Sequence, residues 1–105
     1  MAYQDLFPKE FLAAYTAQKN DAVLLDVRTP AEIAEINIDG HIAINIQQPG
    51  FMEEVAQLDK NKTYFVYCRS GNRSGQACKY MATQGFEKLY NLKGGMLAWV
   101  DTDFE

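Results

Sequence analysis

The chain has 105 residues, 48% of them hydrophobic, which suffices for one core and leaves no length for a second domain. Its formal net charge of −4 excludes the broad basic surface that binds nucleic acid or an anionic membrane. No stretch is apolar for long enough to span a bilayer, and the first residues lack the pattern of a secretory signal. We therefore expect a single domain over residues 1–105 in the cytoplasm, without a nucleic-acid or membrane partner.

The first elements of the chain predict a strand, a helix and a second strand. Residues 3–6 are typical of a short edge strand, and Pro8 suits the first turn of a helix whose apolar stripe runs to about Gln18. The continuous apolar run at residues 22–25 predicts a strand covered on both faces. Such strands belong to parallel sheets.

Three further elements follow in the first half of the chain. Thr29 and Glu32 have the spacing of a capping box, which predicts a short helix through about Glu35. Ile42–Ile46 predicts a third strand, and Phe51–Leu58 predicts an amphipathic helix. The pattern of strands alternating with helices indicates an α/β domain.

Two charged residues, Asp26 and Arg28, follow the second strand at its carboxyl edge. A carboxylate and a guanidinium at a strand end often pair to hold a loop in place. Functional sites use the same residue types, so direct participation in chemistry stays open. We expect a structural role for this pair at the rim of the site.

The strongest signal lies in the strand, loop and helix that begin at Thr63. Residues 63–67 are β-branched and aromatic, which predicts a buried parallel strand. Cys68 follows at the carboxyl edge, where open α/β sheets bind their ligands. Apolar residues then recur at helical spacing between positions 77 and 82, and Gly85 is placed to end that helix.

The loop between this strand and helix, the Cys68 loop, contains the residue types that stabilise an anion. Its members are Arg69, Ser70, Gly71, Asn72, Arg73 and Ser74. Their amides lie at the positive end of the helix dipole, and the two arginines add full positive charges. A cysteine in such surroundings shifts from its free pKa of about 8.5 toward the thiolate, which is the nucleophile. We therefore expect Cys68 to be catalytic, with an inert buried cysteine as the structural alternative.

Two other residues bear on cysteine chemistry. His41 is the only histidine, but a general base must reach the nucleophile, and a lone histidine beside a strand more often packs or faces solvent. Cys78 falls on the apolar stripe of its helix, which favours packing over a resolving-thiol role. Two cysteines and one histidine form neither a zinc ligand set nor a disulfide framework. We expect no metal and no cofactor.

The end of the chain predicts a last strand over residues 86–92 and a helix or turn that begins at Met96. Between them, Gly94 and Gly95 permit close backbone approach or positive φ near the site. The acidic residues 101–105 are expected to fray. The complete pattern predicts a mostly parallel five-stranded sheet flanked by helices.

Three segments resemble the signatures of single-domain rhodaneses. They are LLDVRTPAE at residues 24–32, VYCRSGNRS at residues 66–74 and LKGGMLAW at residues 92–99. Their order and spacing agree as well, so the resemblance spans nearly the whole chain. It implies a sulfurtransferase that moves sulfane sulfur from a donor such as thiosulfate to cyanide or a thiol acceptor through a persulfide.

By this resemblance Cys68 matches the cysteine that becomes the persulfide, and residues 69–74 match the loop whose amides cradle it. The two arginines of the loop suit an anionic donor. Asp26 and Arg28 match positions regarded as structural in the family. The implied partners are a small-molecule sulfur donor and a thiophilic acceptor, with a protein sulfur acceptor as a further partner class.

One segment departs from the family pattern. Rhodaneses commonly carry Gly-His-Ile followed by Gly-Ala and a strand, whereas residues 40–42 are followed here directly by Ala43. We prefer an ungapped register in which residues 37–38 stand at the His-Ile position. His41 then has no family role.

Two alternative functions stay open. Phosphatases and arsenate reductases of the dual-specificity cell-cycle type resemble rhodaneses in fold but place five residues between their cysteine and arginine. Four residues separate Cys68 from Arg73, and this tighter loop suits a single sulfur atom better than a phosphate. The other alternative is a partner-dependent module that carries or binds a persulfide.

Overall fold

The computed structural model describes residues 2–105, whose strands form one five-stranded parallel sheet. The strands are β1 (Gln4–Leu6), β2 (Ala22–Asp26), β3 (Ile42–Ala43), β4 (Thr63–Tyr67) and β5 (Leu89–Leu92). Their spatial order is β1-β5-β4-β2-β3, and every neighbouring pair is parallel. The predicted α/β class and parallel sheet are therefore confirmed.

Five helices cover the two faces of this sheet. They are α1 (Pro8–Ala17), α2 (Pro30–Glu35), α3 (Phe51–Ala56), α4 (Asn72–Thr83) and α5 (Gly95–Val100). Side chains of α3 and α4 share one buried cluster with the sheet, and side chains of α1 and α5 share the other. No helix within residues 2–105 combines the length and apolarity needed to cross a membrane.

The central strand β4 is buried along its whole length. Side chains alternate between the faces of a strand. Accordingly Tyr64 and Val66 pack with α3 and α4, whereas Phe65 and Tyr67 pack with α1 and α5. Burial of each such side chain contributes roughly 1.5–3 kcal/mol, so the strand that leads into Cys68 is anchored on both faces.

Three elements are shorter than the sequence predicts by two residues or more. The strand expected over residues 42–46 ends at Ala43, and the Asn45 side chain accepts a hydrogen bond from the Gln47 amide at 2.9 Å in the turn that follows. The Ile44 and Ile46 amides still donate to the carbonyls of Asp26 and Val27 at 3.0 and 3.1 Å. The helix expected over residues 51–58 ends at Ala56, because the next two amides donate to carbonyls three residues back. The last strand begins three residues later than predicted.

The late start of β5 follows from the way α4 ends. Gly85 has φ +94°, which confirms the predicted stop at this glycine. The Phe86 amide turns back to the Met81 carbonyl at 3.2 Å, and the Gly85 amide to the Ala82 carbonyl at 3.5 Å. These two bonds form a Schellman motif, so residue 86 closes the helix and is not available to the sheet.

We predict that Gly85→Ala lowers the free energy of unfolding by about 1–2 kcal/mol, because an L residue is strained at this positive φ. A β-carbon there would make only ordinary contacts, so the cost is conformational. Gly50→Ala is the matched control, since Gly50 has φ −83° and a β-carbon there would make only an ordinary contact with the Glu54 carboxylate at 4.0 Å. Urea unfolding measures both variants, and an equal loss in the two would contradict the assignment.

Candidate active site

Cys68 directly follows β4 at the carboxyl edge of the sheet and is fully buried. Its carbonyl accepts a hydrogen bond from the Met96 amide at 2.9 Å, and the Arg69 carbonyl accepts one from the Leu97 amide at 3.0 Å. A β-carbon on Gly95 would collide with the Arg69 carbonyl group, so only glycine allows α5 to approach this closely. The predicted role of the glycine pair in close approach is confirmed.

Hydrogen-bond donors of the Cys68 loop converge on the sulfur atom. The Gly71 amide donates to Sγ at 3.1 Å, and the Ser74 hydroxyl donates to it at 3.2 Å. Backbone amides of Ser70 and Ser74 also face the thiol. Gly71 has φ +100° and precedes the first residue of α4, so this turn aims the start of the helix at the sulfur.

The loop favours the charged form of the Cys68 thiol. Burial alone would raise the pKa, but hydrogen bonds from the Ser74 hydroxyl and from the amides of Ser74, Gly71 and Ser70 outweigh burial. The pKa of Cys68 therefore lies below its ordinary value. A buried sulfur with these donors is suited to nucleophilic attack and to holding a negatively charged sulfur product.

Arg73 is oriented differently from the sequence expectation. Its guanidinium forms two hydrogen bonds of 2.8 Å with the carboxylate of Glu32, so a carboxylate balances its charge. These bonds, aided by those from Thr29, overcome burial and lower the pKa of Glu32 to about 2. The same Glu32 completes the predicted capping box with Thr29, which is confirmed. One carboxylate thus caps α2 and ties it to the start of α4.

Arg69 is the arginine of the loop that has no ion pair within residues 2–105. It lies exposed and lines a recess of about 140 Å³ between α2 and α5. Three exposed apolar side chains share the recess: Ile36, Leu97 and Val100. A positive charge therefore lies beside apolar surface at the edge of the Cys68 loop.

Asp26 and Arg28 form a buried ion pair next to this loop. The guanidinium contacts both carboxylate oxygens of Asp26 at 2.8–3.1 Å. Burial opposes the positive charge, but the bonds to Asp26 keep the pKa of Arg28 above its ordinary value. Arg28 also donates to the Ile36 carbonyl at 2.7 Å and lies over the Tyr67 ring. The geometry supports the predicted structural role, because the pair fastens the end of α2 to β2 and β4.

His41 and Cys78 are not donors to the Cys68 sulfur. The Nδ1 atom of His41 lies 2.9 Å from the Ile38 carbonyl oxygen. Cys78 is fully buried, and burial raises its pKa. The exposure that a resolving thiol needs is missing at Cys78, which favours the packing role. No metal-binding group of His, Cys, Asp and Glu forms within residues 2–105.

Two contacts at the site have no signal in the sequence pattern. Glu32 meets Arg73 across 41 positions, and only the capping half of its role follows from local spacing. Asn91 donates from Nδ2 to the Gly71 carbonyl at 3.1 Å, although its place near the end of a predicted strand indicates nothing about the loop. Both contacts depend on how distant elements pack.

Comparisons with known proteins agree with this fold and geometry. The protein-family model of the rhodanese-like domain matches residues 8–102 of this chain. A sulfurtransferase of Allochromatium vinosum is 40% identical over 92 residues, which cover 86% of this chain and 82% of the relative. A putative sulfurtransferase of Bacillus subtilis, YtwF, is 42% identical over 95 residues, which cover 87% of this chain and 89% of the relative.

Among solved structures, a rhodanese-related protein of Thermoplasma volcanium superposes with a TM-score of 0.79 at 26% identity, covering 98% of this chain and 96% of that one. The fold and the cysteine-centred loop define a rhodanese-like α/β domain. The chain belongs to the rhodanese-like sulfurtransferase family, which confirms the resemblance seen in its three sequence segments.

We predict that Ser74→Ala raises the apparent pKa of the Cys68 thiol by about one unit, because one hydrogen bond to the sulfur is lost. The rate of alkylation by iodoacetamide, measured against pH by intact mass, reports this pKa. Thr83→Ala is the control, since that hydroxyl bonds the Tyr80 carbonyl at the far end of α4. A pKa that is unchanged in Ser74→Ala would show that the hydroxyl does not stabilise the thiolate.

Proposed function

We propose that this protein transfers sulfane sulfur from an anionic donor such as thiosulfate to cyanide or a thiol acceptor. Cys68 is the proposed nucleophile. The observation that carries the proposal is the ring of donors around its sulfur, with the Gly71 amide at 3.1 Å and the Ser74 hydroxyl at 3.2 Å. A free thiol of this kind suits a reducing compartment, and we propose the cytoplasm.

The reaction consists of two displacements at sulfur. The Cys68 thiolate attacks the outer sulfur of thiosulfate, a new sulfur–sulfur bond forms, and sulfite leaves with the electron pair of the broken bond. The acceptor then attacks the outer sulfur of the persulfide, and the Cys68 thiolate is the leaving group. No external oxidant or reductant is consumed, and a nucleophile that is already a thiolate needs no general base. This agrees with the position of His41, which is bonded to the Ile38 carbonyl.

The size and charge of the loop support sulfur in preference to phosphate as the bound group. Two donors lie within 3.2 Å of the Cys68 sulfur, and Arg73 forms its hydrogen bonds with Glu32. A phosphoryl group attacked at phosphorus must fit inside the loop with all its oxygens and needs several donors around a wider space, whereas thiosulfate presents only its outer sulfur to the nucleophile. A persulfide adds one sulfur atom, whose negative charge the helix-terminal amides can stabilise.

We predict that incubation with thiosulfate adds the mass of one sulfur atom to the protein, and that cyanide removes it with release of thiocyanate. Intact-protein mass spectrometry measures both steps. Cys68→Ser is expected to gain no sulfur, while the matched variant Cys78→Ser keeps most of the activity because Cys78 only packs. No gain in wild type, with hydrolysis of an aryl phosphate instead, would favour the phosphatase alternative.

We predict that Arg69→Ala raises KM for thiosulfate about two- to fivefold at low salt and less at high salt, because an exposed cation interacts weakly with an anion and is screened. Arg73→Ala is the contrasting variant. It leaves the Glu32 carboxylate without its partner, so we expect lower stability as well as lower turnover. Steady-state kinetics at two ionic strengths separate these effects, and an unchanged KM in Arg69→Ala at low salt would remove the proposed donor contact.

A persulfide carrier that serves a protein acceptor is the second candidate. The exposed side chains of Ile36, Leu97 and Val100 around Arg69 favour it, because a small inorganic donor needs no apolar surface. A recess of about 140 Å³ fits one side chain of a partner. In that case the persulfide forms with thiosulfate, but cyanide and small thiols remove it slowly. Fast removal by small acceptors would instead support the free enzyme.

A further inference from the structure

Asn91 is a polar side chain buried at the end of β5, with only 4% of its surface exposed. Its Nδ2 atom donates to the Gly71 carbonyl at 3.1 Å and to the Asp5 carboxylate at 2.9 Å. The register of β1 against β5 places Asp5 directly beside Asn91. A β-carbon on Gly75 would lie 3.6 Å from the same Nδ2 atom, so the amide sits close under the first turn of α4.

The two acceptors fix the orientation of this amide. Rotating it by 180° would place Oδ1 against a carbonyl oxygen and a carboxylate oxygen, which repel it. In the observed orientation Oδ1 is buried and has no hydrogen-bond partner within residues 2–105. An unpaired buried acceptor is unfavourable, and a leucine of similar size would pack there without that cost. The contribution of Asn91 therefore lies in the two bonds that it donates.

Gly71 belongs to two peptide groups, one on each side of its α-carbon. The group with its carbonyl is bound by Asn91, and the group with its amide faces the Cys68 sulfur. Its amide donates to Cys68 Sγ at 3.1 Å, while its carbonyl accepts from Asn91 and from the Gly75 amide at 3.0 Å. A β-carbon at this glycine would lie 3.3 Å from the Leu92 carbonyl oxygen. The end of β5 thus contacts Gly71 through both its backbone and the Asn91 side chain.

We infer that Asp5 and Asn91 form a positioning pair that holds Gly71 with its amide aimed at the Cys68 sulfur. Glycine has more backbone freedom than any other residue, so its two peptide groups keep their directions only if the surroundings hold them. Asn91 anchors the carbonyl side, and Asp5 orients Asn91. A role of this pair in catalysis rests on the proposed function, because the pair acts on the proposed nucleophile, Cys68.

The first test replaces Asn91 by leucine, which keeps the volume and removes both donated bonds. In Asn91→Leu the apparent pKa of the Cys68 thiol, measured by pH-dependent alkylation, is expected to rise by about half to one unit. The thermal midpoint should not fall, because the unpaired Oδ1 is removed as well. A purely structural asparagine would instead lower the midpoint and leave the thiol pKa unchanged.

A matched control is Asn37→Leu. The Nδ2 atom of Asn37 also donates to a backbone carbonyl, that of Ile33 at 3.0 Å, but at an exposed position. This variant is expected to keep the thiol pKa of the wild type. Cys68 and Cys78 are both buried, so every variant is compared in a Cys78→Ser background, in which intact mass counts alkylation at Cys68 alone.

The second test compares Asp5→Ala with Asp5→Asn, and it decides the question if Asn91→Leu fails to fold. Both variants remove a negative charge, which by itself lowers the pKa of a nearby thiol. Asparagine retains the Oδ1 acceptor that orients Asn91, whereas alanine does not. The inference therefore requires a higher thiol pKa in Asp5→Ala than in Asp5→Asn, by a few tenths of a unit or more. Asp5 is exposed on the edge strand, so both changes spare the core.

Two outcomes would overturn the inference. One is a folded Asn91→Leu protein whose thiol pKa equals that of the wild type, and the other is an equal thiol pKa in the two Asp5 variants. Alkylation requires neither a sulfur donor nor an acceptor. A failure of the proposed sulfur transfer, measured by mass after thiosulfate treatment, is therefore distinguished from a failure of the positioning pair.

Discussion

A sulfur atom buried at the end of a central strand carries negative charge only where protein donors replace the water that burial removes. In this chain the donors are the Gly71 amide and the Ser74 hydroxyl, with further amides of the same loop. The Gly71 amide belongs to the turn between β4 and α4, and Ser74 lies in the first turn of α4. The proposed reactivity of Cys68 therefore depends on how firmly the rest of the molecule holds residues 68–74.

Three elements hold the Cys68 loop from different directions. The buried Asp26–Arg28 pair fastens α2, and Glu32 on α2 then binds Arg73 at the start of α4. The amides at the start of α5 bond the carbonyls of Cys68 and Arg69. Strand β5 is the third element, and its Asn91 side chain donates to the Gly71 carbonyl. Because these contacts are directional and short, the loop keeps its donors aimed inward, as a preorganised charge-stabilising site requires.

The ion pairs also decide which charge is left for a ligand. Four charged side chains near the loop form two ion pairs, Asp26 with Arg28 and Glu32 with Arg73, and so balance one another. Arg69 stays exposed beside apolar side chains at the rim of the recess. In a chain of net charge −4, Arg69 is therefore a local exposed positive charge beside the Cys68 loop.

The sequence by itself determined the parallel α/β sheet, the family and the position of Cys68 after the central strand. Those features are local: continuous apolar runs such as residues 63–67, helix signals such as Thr29 with Glu32, and the cysteine followed by a glycine-containing loop. Local features also accompany the misplaced ends of β3 and β5, namely the Asn45 turn that follows β3 and the Phe86 amide that closes α4.

Only the tertiary structure decided which polar and charged side chains meet. Glu32 and Arg73 are 41 positions apart, and Asp5 and Asn91 are 86 apart, so no spacing rule relates them. The parallel register of β1 with β5 places Asp5 beside Asn91, and the fold brings Glu32 on α2 to Arg73 at the start of α4. Hydrogen bonds and ion pairs act over a few ångströms, and it is the folded arrangement of distant segments that brings their partners within that range.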